Sequence, residues 1–413
     1  MKVKKINNCR CCYSKNLKLF IDFGNMALTT EFPTRKNSSY KKIPMQLVVC
    51  EKCKLFQLRH NYELSKLYNK NYGYKSGINM TMKKHLASIT SDAQKKINLK
   101  DKDIVLDIAS NDGTLLNSYK KKNIYKIGID PVIEKFKKNY SKKIIRYSGF
   151  FSKKNFFELS KNKKAKIVTS IAVFYDIPNP NTFVSDVKEI LTKDGIWIME
   201  QSYFPFLVKN NAYDSICHEH LSYFMYRQLK LILLKNNLKV FDVKFNEMNG
   251  GSFRLFISHL DFKRKINSKN ISKLINYEKT IFNNFSQTKK KFKNNILASK
   301  TKLVSLLKKI KKENKLCHIY GASTKGNVVL QYCNLNKKLL PFAAERNPDK
   351  YERFTPGTFI PIISEIDSRK MLPDFYLVMP WHFKNEIISR EKSFLKNGGK
   401  LIFPLPEIKI ISK

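Results

Sequence analysis

The sequence predicts an α/β protein in three parts: a small cysteine-bearing β domain, a doubly wound sheet that ends in a β-hairpin, and a second, smaller α/β unit. Three observations predict it. Five of the eight cysteines fall in the first 53 residues, four of them as two Cys-x2-Cys pairs. From about residue 75 to 262, short apolar runs alternate with helical stretches. After residue 313 that alternation resumes. A chain of 413 residues is too long for one core and suits two or three domains. The expected spans are 1–74, 75–262 and 263–413, the last including a helical linker.

The first element is the cysteine cluster. Cys9 and Cys12 form one pair, and Cys50 and Cys53 the other. The opening MKVKKINNCRCC lacks the apolar core of a signal peptide, so a cytoplasmic location is expected. There, such pairs read as a zinc site rather than as disulfides. Each Cys-x2-Cys turn aims two thiolates at one tetrahedral ion. Four thiolates leave no open position, so the zinc would be structural. Unliganded cysteines are the alternative. The 37 residues between the pairs predict a small β insertion, and Cys11 is a spare thiol.

The second element is the central sheet. Its expected strands are 104–108, 125–130, 166–173 and 195–200. Strands near 238–245 and 252–259 are separated only by the Asn249-Gly250-Gly251 turn, which predicts a terminal hairpin. The run Asp107-Ile-Ala109-Ser-Asn111-Asp112-Gly113 lies at a strand-to-helix turn. Small residues there let the backbone approach a ligand beside a helix N-terminus. Asp130 follows 23 residues after Asp107, where a carboxylate suits the two hydroxyls of a ribose. The turn has no phosphate-binding lysine and no G-x-G-x-x-G. It therefore favours an adenosine ligand without a pyrophosphate, such as S-adenosylmethionine, over NAD.

The densest chemical cluster is Tyr213 to Phe224, which contains His218, Glu219, His220 and Tyr223. It follows the strand ending at Glu200, on the side where an α/β sheet presents its ligands. General-base catalysis is the expectation, because an imidazole titrates near ~6.5 and a neighbouring carboxylate or phenol can fix its tautomer. A metal pair formed by His218 and His220, or a purely structural role, are the alternatives.

The third element is the C-terminal part. Residues 268–313 carry spaced apolar positions and predict one or two long amphipathic helices. Strands are expected at 316–320, 340–344, 375–379 and 400–403. The turn Gly321-Ala-Ser323-Thr324-Lys325-Gly-Asn327 resembles a phosphate cradle with Lys325 as counter-charge, and Arg346 adds to it. Arg254, after the hairpin turn, is a further substrate-cleft candidate. An ordinary turn with solvated charges is the alternative for these residues.

The composition excludes several classes. With 42% apolar and 12% aromatic residues, the chain is no disordered basic tail. It has no run of about 20 uncharged apolar residues, so no membrane helix is expected. The formal charge is +46, yet 68 of the 79 basic residues are lysines spread along the whole chain. Base and phosphate recognition leans on arginine clustered on one face. A nucleic-acid partner is therefore not expected, although a positive field suits an anionic substrate.

Together, the cysteine pairs, the D-I-A-S-N-D-G turn and the I-C-H-E-H-L-S-Y segment resemble the three-domain sugar C-methyltransferases. The resemblance covers nearly the whole chain. It implies an N-terminal zinc domain, a class I methyltransferase domain that binds S-adenosylmethionine, and a C-terminal Rossmann-like domain. By resemblance, Cys9, Cys12, Cys50 and Cys53 are the zinc ligands, His220 the base, Glu219 its neighbouring acid and Asp130 the ribose carboxylate. Tyr72 and Tyr74 would close over the cofactor. The implied substrate is a nucleotide-linked keto-deoxysugar, methylated at carbon through an enolate, with Glu219, Asp176, Tyr175 or Tyr223 expected to orient the base or to move protons at the enolate oxygen. Two positions depart from the family pattern: Cys217 stands in place of a tyrosine, and Asp176 in place of a histidine. The competing functions are a small-molecule O- or N-methyltransferase and, from another class, a zinc-ribbon nucleic-acid-binding protein.

Overall fold

The computed structural model describes residues 2–34, 41–69 and 72–413. Its N-terminal domain is built on β2 (Leu17–Met26), β3 (Ile43–Cys50) and β4 (Phe56–Leu58), paired antiparallel. A second ribbon pairs β1 (Val3–Lys5) with β5 (His60–Tyr62). The β insertion expected between the cysteine pairs is the β2–β3 hairpin.

The central domain holds a seven-stranded sheet. Its parallel strands are β6 (Ile104–Ile108), β7 (Tyr125–Ile129), β8 (Ile144–Tyr147), β9 (Ala165–Ile171) and β10 (Leu191–Ser202). After β11 (Ser222–Tyr223) come β12 (Leu238–Asn246) and β13 (Ser252–His259). The order is β12-β13-β10-β9-β6-β7-β8, and β13 runs antiparallel to both neighbours. That is the sheet of a class I methyltransferase, as expected. β6 is buried along its whole length because helices cover both faces of a parallel sheet. The hairpin turn needs glycine at Gly251, where φ is 113° and a Cβ would lie 2.6 Å from that of Phe206.

β11 belongs to another sheet. It pairs with β4, so a piece of the central domain completes the N-terminal sheet. No local sequence feature announces this two-residue strand.

Two helices, Ser268–Asn283 and Phe285–Lys312, link the central and C-terminal domains. Glu278 on the first is buried and accepts hydrogen bonds from the Tyr203 hydroxyl (2.9 Å) and the amides of Tyr226 and Arg227. It thereby caps the helix Tyr226–Lys235. On the second helix, Phe292, Ile296, Leu303, Leu307 and Ile310 form the buried stripe. Phe292 stacks on Phe20 of β2, and the apolar cores of the N- and C-terminal domains are continuous through this helix.

The C-terminal domain has β14 (Cys317–Tyr320), β15 (Ala343–Glu345), β16 (Ile362–Ser364), β17 (Phe375–Val378), β18 (Lys400–Phe403) and β19 (Lys409–Ile411). They are ordered β16-β15-β14-β17-β18-β19, with only β19 antiparallel. β8, β16 and β19 are additional to the expected strands. Among the described residues, no helix is long and apolar enough to cross a membrane.

His218 and His318 are fully buried, and burial pulls both imidazoles down to about 4. Both are neutral in the folded chain at pH 6, whereas the unfolded chain binds protons there. Stability should therefore be complete above pH 6.5 and fall toward pH 4, by about 1.4 kcal/mol per pH unit for each residue. Urea unfolding followed from pH 7 to 4 measures this.

Candidate active site

A cavity of about 660 Å³ opens where the three domains meet. One part is built by the turn after β6. Ala109 and Asn111 adopt positive φ (62° and 49°), which tightens the turn. Asp107 accepts a hydrogen bond from Thr169 (2.6 Å), and burial pushes its carboxyl up to about 7. At the end of β7, the two oxygens of Asp130 accept from the backbone amides of Asn111 (2.9 Å) and Val132 (2.7 Å). Burial raises that carboxyl to about 6. Asp107, Ala109, Asn111, Asp112 and Asp130 all line the cavity, as do Tyr72 and Tyr74. Asn111 and Asp112 also accept the amides of Ser76 (2.9 Å) and Gly77 (2.8 Å), which fastens the Tyr74–Gly77 segment over the turn. Gly113 does not line the cavity. Its φ of 75° starts the next helix, and a Cβ there would strike the Tyr140 ring at 2.7 Å. Of the Tyr68–Tyr74 stretch, Lys70 and Asn71 lie outside the described residues.

These residues fit S-adenosylmethionine: a carboxylate stands where a ribose would lie, and small residues allow close approach. The Asp130 oxygens each keep a second lone pair for a hydroxyl.

Adjoining this part lie His220, Glu219, Asp176, Tyr175 and Cys217. His220 Nδ1 sits 2.7 Å from the carbonyl oxygen of Ser215. A carbonyl only accepts, so Nδ1 carries the proton and Nε2 keeps its lone pair. Burial, with the positive charge of Lys325, lowers the imidazole to about 3. Tyr175 packs against its ring at 4.3 Å. The Glu219 carboxylate accepts the Thr29 hydroxyl at 3.2 and 3.1 Å. Asp176 accepts from Tyr68 at 2.8 Å, and its other oxygen has no partner. Burial holds that carboxyl well above the usual range.

Two expected members of this group are absent from the cavity wall. His218 points the other way, edge-on to Tyr62 at 4.9 Å with neither ring nitrogen bonded. Tyr223 lies behind the wall, where its hydroxyl donates to the same Ser215 carbonyl at 3.4 Å.

The C-terminal domain contributes Gly321, Ser323, Thr324, Lys325 and Arg346 to the cavity. Ser323 caps the helix Thr324–Tyr332 by accepting from the Gly326 amide (2.9 Å). Asn327 and Arg254 do not line it. Asn327 donates to the Thr29 carbonyl at 2.9 Å. Arg254 is held by Glu200 (2.7 Å) and Asp92 (2.6 Å). Sequence reasoning missed Tyr68, His85, Glu200 and Glu345, all of which line the cavity. Glu345 ends β15 and Glu200 lies two residues before the end of β10, the edge where such sheets present their ligands.

Away from this cavity, the sulfurs of Cys9, Cys12, Cys50 and Cys53 lie within 4.8 Å of one another. The contacts Cys9–Cys53 and Cys12–Cys50 are both 3.6 Å. Tetrahedral zinc with bonds of about 2.3 Å spaces its sulfurs by about 3.8 Å, so the four thiols fit that ion. Cys11 turns aside, its sulfur 3.6 Å from the Gln228 carbonyl.

Family models match the chain in order: a zinc binding domain at residues 9–68, a methyltransferase domain at 79–243 and a C-methyltransferase C-terminal domain at 247–406. The chain belongs to the three-domain C-methyltransferase family. The C-methyltransferase NovU of Streptomyces niveus is 27% identical over 413 residues, 99% of this chain and 98% of that one. Among solved structures, the plantazolicin methyltransferase BpumL with SAH is 13% identical, with a TM-score of 0.34 over 42% of this chain and 82% of that one. The mycolic acid cyclopropane synthase CmaA1 is 11% identical, with a TM-score of 0.34 over 46% and 91%. This C-methyltransferase is an S-adenosylmethionine-dependent enzyme with a structural zinc ion.

Three outcomes are expected. The purified enzyme should contain one zinc per chain by elemental analysis, and Cys50→Ser should lose the metal and melt at a lower temperature. Asp130→Ala should weaken S-adenosylhomocysteine binding about tenfold or more by calorimetry, since charged hydrogen bonds contribute about 1.5–3 kcal/mol. For the unsubstituted enzyme, affinity should fall as pH drops from 7 toward 5, because Asp130 must be ionised to hold two hydroxyls.

Proposed function

We propose that this C-methyltransferase acts on a carbon next to a keto group of a nucleotide-linked sugar, with His220 as the base that makes the enolate. The observation that carries this reading is the His220 imidazole. It is held neutral by burial, its Nδ1–H is spent on the Ser215 carbonyl, and it lines the cavity that Asp130 and Asn111 also line.

Carbon is a poor nucleophile until a neighbouring carbonyl makes its proton acidic. Nε2 of His220 takes that proton, and the electron pair moves toward the carbonyl oxygen. Glu219, pinned by Thr29, lines the same cavity as the imidazole. Tyr175 and Tyr223 hold the ring and its carbonyl acceptor in place. Bound S-adenosylmethionine supplies the electrophilic methyl group. His220 then returns its proton to solvent.

The nucleotide part of the substrate is supported by the C-terminal lining. The Ser323-capped helix start presents amides to the cavity, and Arg346 adds a cation. Glu345, at the end of β15, lies where a parallel sheet meets ribose hydroxyls.

The test is incubation with labelled S-adenosylmethionine and a panel of nucleoside-diphosphate keto-deoxysugars, with mass spectrometry of the products. A new carbon-bound methyl is expected. An O- or N-methyl product would overturn the enolate step. His220→Ala should lose at least 10²-fold in rate while binding S-adenosylhomocysteine as before. Full activity in that variant would sink its assignment.

A further inference from the structure

We propose that Lys325 is a catalytic residue of the proton-removal step: its ammonium group receives the negative charge that develops on the substrate's carbonyl oxygen. This rests on the reading of His220 as base and adds the partner that such a base requires.

Lys325 is the second residue of the helix Thr324–Tyr332 and lines the same cavity as His220, Cys217 and Asp176. Its Nζ donates one hydrogen bond, to the Asn249 carbonyl in the hairpin turn at 3.2 Å. An ammonium has three donors, so two remain for a ligand. The C-terminal domain brings three other cations to this cavity, and each has a carboxylate partner. Lys350 lies 3.5 Å from Glu345, Arg346 4.0 Å from Glu386, and Arg390 2.6 Å from Glu365. Among the described residues, Lys325 makes no ion pair. The nearby carboxyls do not claim it: Asp214 accepts the Trp381 indole N–H at 2.8 Å, and Asp176 accepts the Tyr68 hydroxyl.

Its charge is felt by the groups around the base. The charge of Lys325 disfavours protonated His220 and His382 and favours ionised Asp176 and Asp214. It therefore acts on the group that would remove the proton. A phosphate cradle at the far end of the substrate would not place it there.

The step balances. The C–H bond breaks and an N–H bond forms at Nε2 of His220. The C–H electron pair becomes the carbon–carbon double bond of the enolate, and the carbonyl π pair moves to oxygen. That oxygen accepts a hydrogen bond from Lys325, which keeps its own protons. A preformed cation in a partly buried cavity stabilises such an oxyanion far more than it would in water.

The test uses the full zinc-loaded chain in D2O, with the keto-deoxysugar nucleotide that it methylates and S-adenosylhomocysteine in the donor's place. Deuterium uptake at the carbon next to the carbonyl reports proton removal alone. Lys325→Met should lower both this exchange and kcat by about 100-fold. KM should change less than threefold, S-adenosylhomocysteine should bind as before, and Lys325→Arg should recover part of the loss. Should the Met variant fail to fold, Lys325→Gln carries the same comparison. A raised KM at unchanged kcat would make Lys325 a phosphate ligand and overturn the proposal. Exchange lost in His220→Ala but normal in Lys325→Met would overturn it while leaving the base reading intact. No exchange in the unsubstituted enzyme would overturn the base reading, and this proposal with it.

Discussion

The placement of the loop that carries His220 depends on one buried guanidinium. Arg10 sits between two cysteines of the zinc knuckle and is only 5% exposed. Its Nη1 donates to the carbonyls of Leu58 (2.7 Å) and Leu221 (3.1 Å), and its Nη2 to His60 (3.1 Å) and the Asn61 side chain (2.6 Å). Every one of these acceptors is neutral. Burial lowers the guanidinium to about 10, so it keeps its charge at neutral pH. Leu221 directly follows His220. The cysteine cluster, the N-terminal sheet and the His220 loop are thus joined through one side chain. Breaking it would strand several buried carbonyls at once.

Other bonds fix the same loop from different sides. β11 pairs its next two residues, Ser222 and Tyr223, to β4. Thr29 receives Asn327 of the C-terminal domain on its carbonyl and gives its hydroxyl to Glu219. Trp381 reaches from the C-terminal domain to Asp214. No single domain owns the reaction centre, and the enclosure has an electrostatic effect. Apolar surroundings keep the imidazole neutral and push Asp176 toward its protonated form.

Much of this was legible in the sequence, for physical reasons. Thiolate pairs at a two-residue spacing, the Asp107–Gly113 turn with Asp130 beyond it, and the Gly250-Gly251 hairpin are all local signals. Strands β6, β9 and β10 are largely buried and carry the apolar runs 104–106, 167–168 and 196–199. β8 and β19 are not: each sits at a sheet edge with mostly exposed residues, so burial leaves no pattern to find. β11 is two residues long and pairs with a strand some 165 residues earlier, which no window can detect. The same limit applies to side chains. Arg254 looks like a cleft residue until Asp92 and Glu200 arrive from elsewhere to claim it. His218 and His220 are equivalent by residue type. Only the packing against Tyr62 sends one into the core and leaves the other at the cavity.

The continuity of β11 with the N-terminal sheet sets how the enzyme can be divided. The loops after β6 and β7 lie within the central domain, so an excised middle domain would keep Asn111, Asp112 and Asp130. It could not aim the imidazole, whose anchors are Arg10, Thr29 and β4 on one side and Trp381 on the other. The turn sits in one domain, whereas Tyr72, Tyr74 and the anchors of the His220 loop come from the other two. The shortest piece that keeps every anchor of that imidazole runs from the first cysteine pair into the C-terminal domain that carries Trp381.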